Sequence, residues 1–291
     1  FATAILRQIP KILRTIRAEH SWLNAQQNIH HFDAVISDNR YGLYHPEIPS
    51  VIMTHQLQIL SGKGKVIDHW FRKLHYRFLQ RFSKCWIVDM PGEDNLAGIL
   101  AHPAEIPSNA AYIGLLSQML PLEKPVKKNG TILVLLSGPE PARSQLLSLL
   151  IQQAKALSDY SFLFVAGDPS GKDWPGLPAH IRYYTHLNAE QLSVALTEAT
   201  LVICRSGYST LMDLCMMEQR ALLIPTPGQT EQEYLAHYLQ SREIALSVEQ
   251  DALQLSRDIP SALTKKGFTH LLPSGRNLMQ TAINTLLESL K

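Results

Sequence analysis

From residue 131 onward, short and almost wholly apolar runs alternate with stretches whose apolar residues recur every three or four positions. The runs are 131–136, 161–166, 181–184, 201–204 and 221–224, and the helical patterns between and after them cover 142–157, 189–199, a stretch from 207, and 231–239. Short apolar strands alternating with amphipathic helices predict a parallel sheet covered on both faces, a doubly wound α/β unit. The first part of the chain reads similarly. A helix is expected over 4–22, with Ile5, Ile9, Ile12 and Ile16 on one stripe and Pro10 as a candidate kink. Strands are expected at 34–37, 51–54, 86–89 and 112–114. A doubly wound domain normally opens on a strand, whereas this chain opens inside a helix, so an N-terminal βα portion is expected to be absent.

At a rough 150 residues per domain, 291 residues suggest two domains, 1–120 and 121–291. The stretch 121–130 (PLEKPVKKNG), rich in Pro, Lys and Gly between apolar runs, is the expected linker. Residues 1–117 carry 12 Lys/Arg against 9 Asp/Glu, and the remainder 15 against 16. The net charge of +2 advertises no nucleic-acid partner. No apolar run reaches the ~18 residues of a spanning helix. Cys85, Cys204 and Cys215, an odd set without a CxxC pair, fit a reducing compartment.

The segment richest in chemistry is 204–214 (CRSGYSTLMDL), a strand passing through Arg205-Ser206-Gly207 into a helix. Gly207 permits close backbone approach, and Ser206, Ser209 and Thr210 place hydroxyls around a helix N-terminus. Free N–H donors and the positive end of the helix dipole suit a diphosphate there. Asp213 lies further along the helix, where a carboxylate could accept both hydroxyls of a ribose. The plainer alternative is an ordinary capped helix with a solvated aspartate. Against it stand the position at the C-terminal end of a strand and a second polar loop after the next strand, 227–232 (PGQTEQ), with Gln229, Glu231 and Gln232.

The pattern R-S-G-x-S-T-x-x-D over 205–213, followed by P-x-P-x-Q-x-E-Q over 225–232, resembles the donor-binding half of family 28 glycosyltransferases. The likeness is good over 131–239 and traceable over 33–117. It implies the glycosyltransferase B fold: two Rossmann-like doubly wound domains facing a cleft, the first one incomplete here. It also implies that the second domain holds a nucleotide-sugar donor. Carried over, Asp213 grips the ribose and Ser206, Gly207, Ser209 and Thr210 cradle the diphosphate. Gln232, with Glu231, meets donor sugar hydroxyls, and Ser137-Gly138 form the turn after the domain's first strand. That turn departs from the family: Pro139 and Pro141 supply no N–H, and Glu140 is acidic. Anion binding is therefore expected to lean on the helix at Gly207, with Arg143 and Arg205. Where a relative's linker carries an arginine, this chain has Ser117-Gln118. The family's N-terminal glycine-rich turn has no counterpart in the 291 residues.

Acceptor-side turns are expected at 37–42 and 54–56, which bring Asn39, Arg40, Tyr41, His55 and Gln56; Asp38 and His55 are candidate general bases, with neither chosen. Residues 63–84 hold seven Lys/Arg against Asp68 alone. A helix drawn from Ile67 gathers Ile67, Trp70, Phe71, Leu74, Phe78 and Phe82 on one face, with Lys73, Arg77 and Lys84 beside it. Such a helix suits an anionic membrane surface, or alternatively packs its aromatics on its own sheet. No DxD, HExxH, GxSxG or Walker tract occurs and the 12 histidines show no ligand spacing, so neither metal nor cofactor is expected.

The leading expectation is a metal-independent transferase moving a hexose or N-acetylhexosamine from a UDP-sugar co-substrate to a hydroxyl acceptor, lipid-linked or small. It would be cytoplasmic or peripheral on the inner face of the plasma membrane, in cell-envelope chemistry. The rivals are a nucleotide-sugar hydrolase or epimerase, and a non-catalytic donor-binding subunit.

Overall fold

A computed structural model of the chain describes residues 2–60, 64–119, 130–171, 173–271 and 277–290. The chain forms two compact units, Phe1–Leu115 with Pro273–Lys291, and Leu116–Leu272. The division falls slightly before the expected 120/121, and the C-terminal stretch groups with the first unit. The expected linker residues 121–129 lie outside the described residues.

The first unit opens on helix α1 (Ala2–His30), which runs through Pro10 and past the expected end at 22. Residues 23–30 contain no Gly or Pro to stop a helix. It ends where His31 turns left-handed at φ 51 and donates its N–H to Gln27 O at 3.0 Å. Strands β1 (Val35–Asp38), β2 (Ser50–Thr54), β3 (Lys84–Ile87) and β4 (Ala110–Tyr112) then form a parallel sheet in that order. Val51, Ile52, Cys85, Trp86 and Ile87 are buried on the two central strands, which is why these runs read as continuously apolar.

Helix α2 (Lys65–Leu79) crosses from β2 to β3 and corrects the expected apolar face. Its buried stripe is Phe71, His75 and Leu79, one residue every four, with Phe82 beyond its end. Ile67 and Trp70 are 37% and 55% exposed, and Val66 is 86% exposed. Grouping by apolarity alone passed over His75, a polar side chain that is buried because both ring nitrogens are hydrogen-bonded.

The second unit holds β5 (Thr131–Leu135), α3 (Ala142–Ala154), β6 (Ser161–Val165), β7 (Ile181–Tyr184), α4 (Ala189–Glu198) and β8 (Ala199–Cys204). It continues with α5 (Tyr208–Met216), β9 (Ala221–Leu223), α6 (Thr230–Ser241), β10 (Leu246–Ser247) and α7 (Leu255–Leu263). A last helix, α8 (Leu278–Glu288), lies in the C-terminal stretch that joins the first unit. All six strands of the second sheet are parallel, in the order β10-β9-β8-β5-β6-β7.

The core of this unit is one cluster. Ile132, Val134 and Leu136 of β5 and its exit meet Leu146 and Leu150 of α3, Phe162 and Phe164 of β6, and Leu255 and Ile259 of α7. Each side chain of this size contributes about 1.5–3 kcal/mol on burial. Helix α7 escapes the sequence reading because Pro260 sits inside it; its buried residues Leu255, Ile259 and Ala262 nevertheless keep helical spacing.

Candidate active site

Strand order marks a candidate site before any residue is considered. From β5 the chain steps outward to β6 and β7, then returns to β8 on the other flank of β5 and steps outward again to β9 and β10. At such a switch point the loops leaving two neighbouring strands diverge to opposite sides, and a crevice opens at the strands' C-terminal ends. Here the neighbours are β5 and β8, paired from Ile132–Leu201 to Leu135–Cys204. Their exits are Ser137-Gly138 and Arg205-Ser206-Gly207, two segments that the sequence singled out.

Helix α5 begins at that exit with Gly207 as its N-cap and no side-chain capping bond. Its first i→i−4 bond runs from Leu211 N to Gly207 O at 3.0 Å, so the N–H groups of the first turn precede the helix's own ladder. Gly207 has φ −69, which any residue adopts, and a Cβ built on it would meet nothing within 4 Å. Neither backbone nor packing demands glycine there; the missing side chain leaves open space at the helix tip. Ser209 is exposed and Thr210 half-buried on the same turn.

Two residues assigned to the anion cradle turn out to be braces. Ser206 is wholly buried and donates its hydroxyl to Gln232 O at 2.8 Å, tying the tip of α5 to the start of α6. Arg205, 3% exposed, donates to Ile224 O (3.1 Å), Pro225 O (3.0 Å), Ala142 O (3.2 Å) and Gln250 Oε1 (2.7 Å). These acceptors belong to the exit of β9, the start of α3 and the 3-10 turn Gln250–Ala252. Burial lowers the pKa of this guanidinium from its ordinary value. A buried guanidinium whose two terminal nitrogens both donate to protein oxygens is held as a brace rather than presented at the surface.

Arg143 is also engaged. It pairs with Glu140 at 2.7 Å and Asp168 at 3.0 Å and donates to Gly167 O. Glu140 accepts Ser144 N and the Arg143 guanidinium, which together hold its carboxyl below the usual range. The acidic residue in the first turn is thus neutralised by its own arginine. Gly138 turns at φ 101, and Ser137 and Gly138 are both exposed at the β5 exit. The 226–233 loop is closed by its own side chains: Gln232 Oε1 accepts Thr226 N (2.9 Å), Gln232 Nε2 donates to Gln229 Oε1 (2.7 Å), and Glu233 Oε1 accepts Gly228 N (2.8 Å). Glu231 is half-buried beside them. Asp213, half-buried on α5, accepts the Ser117 hydroxyl at 2.6 Å. Burial raises its pKa from the ordinary carboxylate value and the serine bond opposes that shift. Sequence reading saw Ser117 only as a linker position; nothing in the spacing announced a contact across 96 residues.

In the first unit, the turn after β1 is built by Asn39 at φ 55 and by Ser37, whose hydroxyl donates to Arg40 O at 2.8 Å. Arg40 is exposed and pairs with Glu19 of α1 at 3.0 Å. A cavity of about 320 Å³ lies between α1 and this turn, lined by Lys11, Thr15, Glu19, Asn39, Arg40 and Tyr41 among others. Asp38, His55 and Gln56 are not among its lining residues: Asp38 is exposed at the end of β1, and His55 and Gln56 are half-buried after β2. Tyr41 bonds His75 Nε2 at 3.0 Å, while His75 Nδ1 lies 3.2 Å from Leu57 O. A carbonyl only accepts, so Nδ1 carries the proton and Tyr41 donates to Nε2. Burial pushes the His75 pKa down to about 4 and that of Tyr41 up to about 12. Asp89, wholly buried past β3, accepts Met90 N, Leu96 N, Ala97 N and His102 Nε2 and holds the following loop.

Lys73, Arg77 and Lys84 are exposed, as are Val66, Ile67 and Trp70. Among the described residues no helix is long and apolar enough to cross a membrane, and no group of three or more His, Cys, Asp or Glu could hold a metal ion.

None of the curated proteins is similar enough in sequence to match. Residues 170–281 match the family model for the glycosyltransferase family 28 C-terminal domain. Among solved structures, the glycotransferase of kitacinnamycin superposes with a TM-score of 0.69 at 13% identity, over 98% of this chain and 83% of that one. The spinosyn rhamnosyltransferase SpnG complexed with thymidine diphosphate gives 0.64 at 13% identity, over 99% and 82%. MurG of Acinetobacter baumannii gives 0.58 at 16% identity, over 96% and 80%. The architecture is an α/β fold with parallel sheets, the one shared by the glycosyltransferase B enzymes.

Proposed function

We propose that this protein is a metal-independent glycosyltransferase that takes a UDP-sugar at the tip of α5 and moves its hexose or N-acetylhexosamine to a hydroxyl acceptor. The observation that carries the reading is the uncapped N-terminus of α5 at the switch point, with Gly207 leaving open space over it and Asp213 on the same helix. The N–H groups and the helix dipole meet the diphosphate, and Asp213 accepts the ribose hydroxyls. Ser209, Thr210, Ser137 and Gly138 complete the diphosphate surroundings, and the Gln229–Gln232 pair lies on the neighbouring exit for the donor sugar. As the acceptor oxygen bonds to the anomeric carbon, the bond from that carbon to the diphosphate breaks. The acceptor proton passes to a general base, and helix N–H groups stabilise the leaving diphosphate. The thymidine diphosphate complex of SpnG supports a nucleoside diphosphate as the ligand class.

The acceptor reading rests on the first unit. Exposed Val66, Ile67 and Trp70 with Lys73, Arg77 and Lys84 support a peripheral membrane contact and hence a lipid-linked acceptor, in the cytoplasm at the inner face of the plasma membrane. The test is a panel of UDP- and TDP-sugars scored by thermal shift and then by product analysis with EDTA present. Stabilisation by UDP-sugars and a new glycoside are expected. Free sugar or an isomerised nucleotide sugar would replace transfer by hydrolysis or epimerisation, and no stabilisation by any nucleotide would remove the donor site.

A further inference from the structure

The segment entering the second unit is fastened to α5 and α4. Leu116 N donates to Met212 Sδ at 3.4 Å, Ser117 Oγ to Asp213 Oδ1 at 2.6 Å, and Ser193 Oγ to Met119 Sδ at 3.4 Å. Met119 is 5% exposed, so the fastening is a packed one. The direction of the central bond follows from hydrogen counting. Ser117 Oγ accepts Met119 N at 2.9 Å, and its single hydrogen is aimed at Asp213. An O–H donor at this length is in the range of a charge-assisted bond to an ionised carboxylate.

We propose that Ser117 is the positioning residue of Asp213: it fixes the plane of the carboxylate, keeps it ionised, and leaves Oδ2 and the second lone pair of Oδ1 for the vicinal hydroxyls of a nucleoside ribose. An aspartate rotates about two side-chain bonds, and a half-buried one left without a donor would sample several orientations and drift towards its neutral form. Ser117 acts on both tendencies. Its bond opposes the upward pressure of burial on the Asp213 pKa, and among the described residues no charged neighbour contributes to that shift. Backbone anchoring by Met119 N lets a short side chain hold a carboxylate that lies on another element.

The inference rests on the proposed role of Asp213, so the experiment separates the two. In the full chain, affinity is measured for UDP and for 2′,3′-dideoxyuridine 5′-diphosphate with the wild type, Ser117→Ala, Ser117→Thr, Asp213→Ala and the Ser117→Ala/Asp213→Ala double variant. Ser117→Ala is expected to weaken UDP roughly five- to tenfold, as the loss of one ordinary hydrogen bond implies, while leaving the dideoxy compound unchanged. Ser117→Thr, which keeps the hydroxyl, is expected to restore UDP affinity. In the Asp213→Ala background the Ser117→Ala change is expected to add nothing. The acid limb of UDP affinity is expected to move to higher pH in Ser117→Ala, because Asp213 then protonates sooner. If Asp213→Ala discriminates against UDP while Ser117→Ala does not, the positioning role is refuted and the ribose reading stands. Equal weakening of both compounds by Ser117→Ala refutes the positioning role as well. If Asp213→Ala leaves the UDP to dideoxy ratio intact, the ribose reading itself fails.

Discussion

Replacing Arg205 by methionine separates a brace from a phosphate ligand. The side chain is of comparable length and leaves four acceptors behind: Ile224 O, Pro225 O, Ala142 O and Gln250 Oε1. At about 1 kcal/mol of lost bond or desolvation penalty for each acceptor, the cost is about 4 kcal/mol, partly offset by relief of the buried charge. A protein of this size loses about 2–4 °C of Tm per kcal/mol, so the transition that reports the second unit should fall by roughly 10 °C. Arg205→Lys, which keeps the charge but not the planar fork, should fall about half as far. The assay is thermal or urea unfolding of the full chain, paired with UDP titration at a temperature where both variants are folded. A brace predicts a large loss of stability with UDP affinity changed less than about threefold. Collapse of affinity with an unchanged transition would refute the reasoning and return Arg205 to the diphosphate.

Gly207→Val should fold normally, because its Cβ meets open space at φ −69, yet lose UDP binding by tenfold or more in calorimetry as the methyls cover the helix tip. His75 carries a folded pKa of about 4 against 6.5 unfolded. Stability is therefore complete above about pH 6.5 and is lost as pH falls towards 4, by about 3 kcal/mol in all. Urea midpoints measured from pH 7 to pH 4 should show this acid limb, and His75→Gln should flatten it. Changing Lys73, Arg77 and Lys84 together to Glu should abolish co-flotation with anionic liposomes, each base contributing about 1 kcal/mol near such a surface; unchanged flotation would end the membrane reading.

Much of the second unit is legible in local pattern. The runs at 131–136, 161–166, 181–184 and 201–204 are strands because a parallel sheet buries both faces of each one, and burial leaves an uninterrupted apolar signature. The passage from strand to helix at 204–214 is legible for a related reason: the apolar run leads into a glycine and small hydroxyl residues, a common pattern at helix N-termini. Less is legible where polarity and burial part company. His75 and Asp89 are polar and buried, and they stay so because their hydrogen-bonding groups find partners within the protein. Helix α7 hides behind Pro260, and the placement of α8 with the first unit has no sequence signal, since an apolar stripe shows that a helix has a partner without naming it.

Local sequence periodicity thus set most of the strands and helices and the start of α5, because backbone preference and burial act over a handful of neighbouring residues. Strand order, and with it the switch point between β5 and β8, came from long-range pairing. So did the division of the polar residues into exposed groups and internal braces. Arg143, Arg205 and Ser206 read in one dimension as anion ligands, yet each is engaged by partners 20 or more residues away. Ser117 reads as part of a spacer, yet it meets Asp213. Hydrogen bonds are satisfied by whatever the fold brings within about 3 Å, and that proximity is fixed only when the sheet has closed around its core.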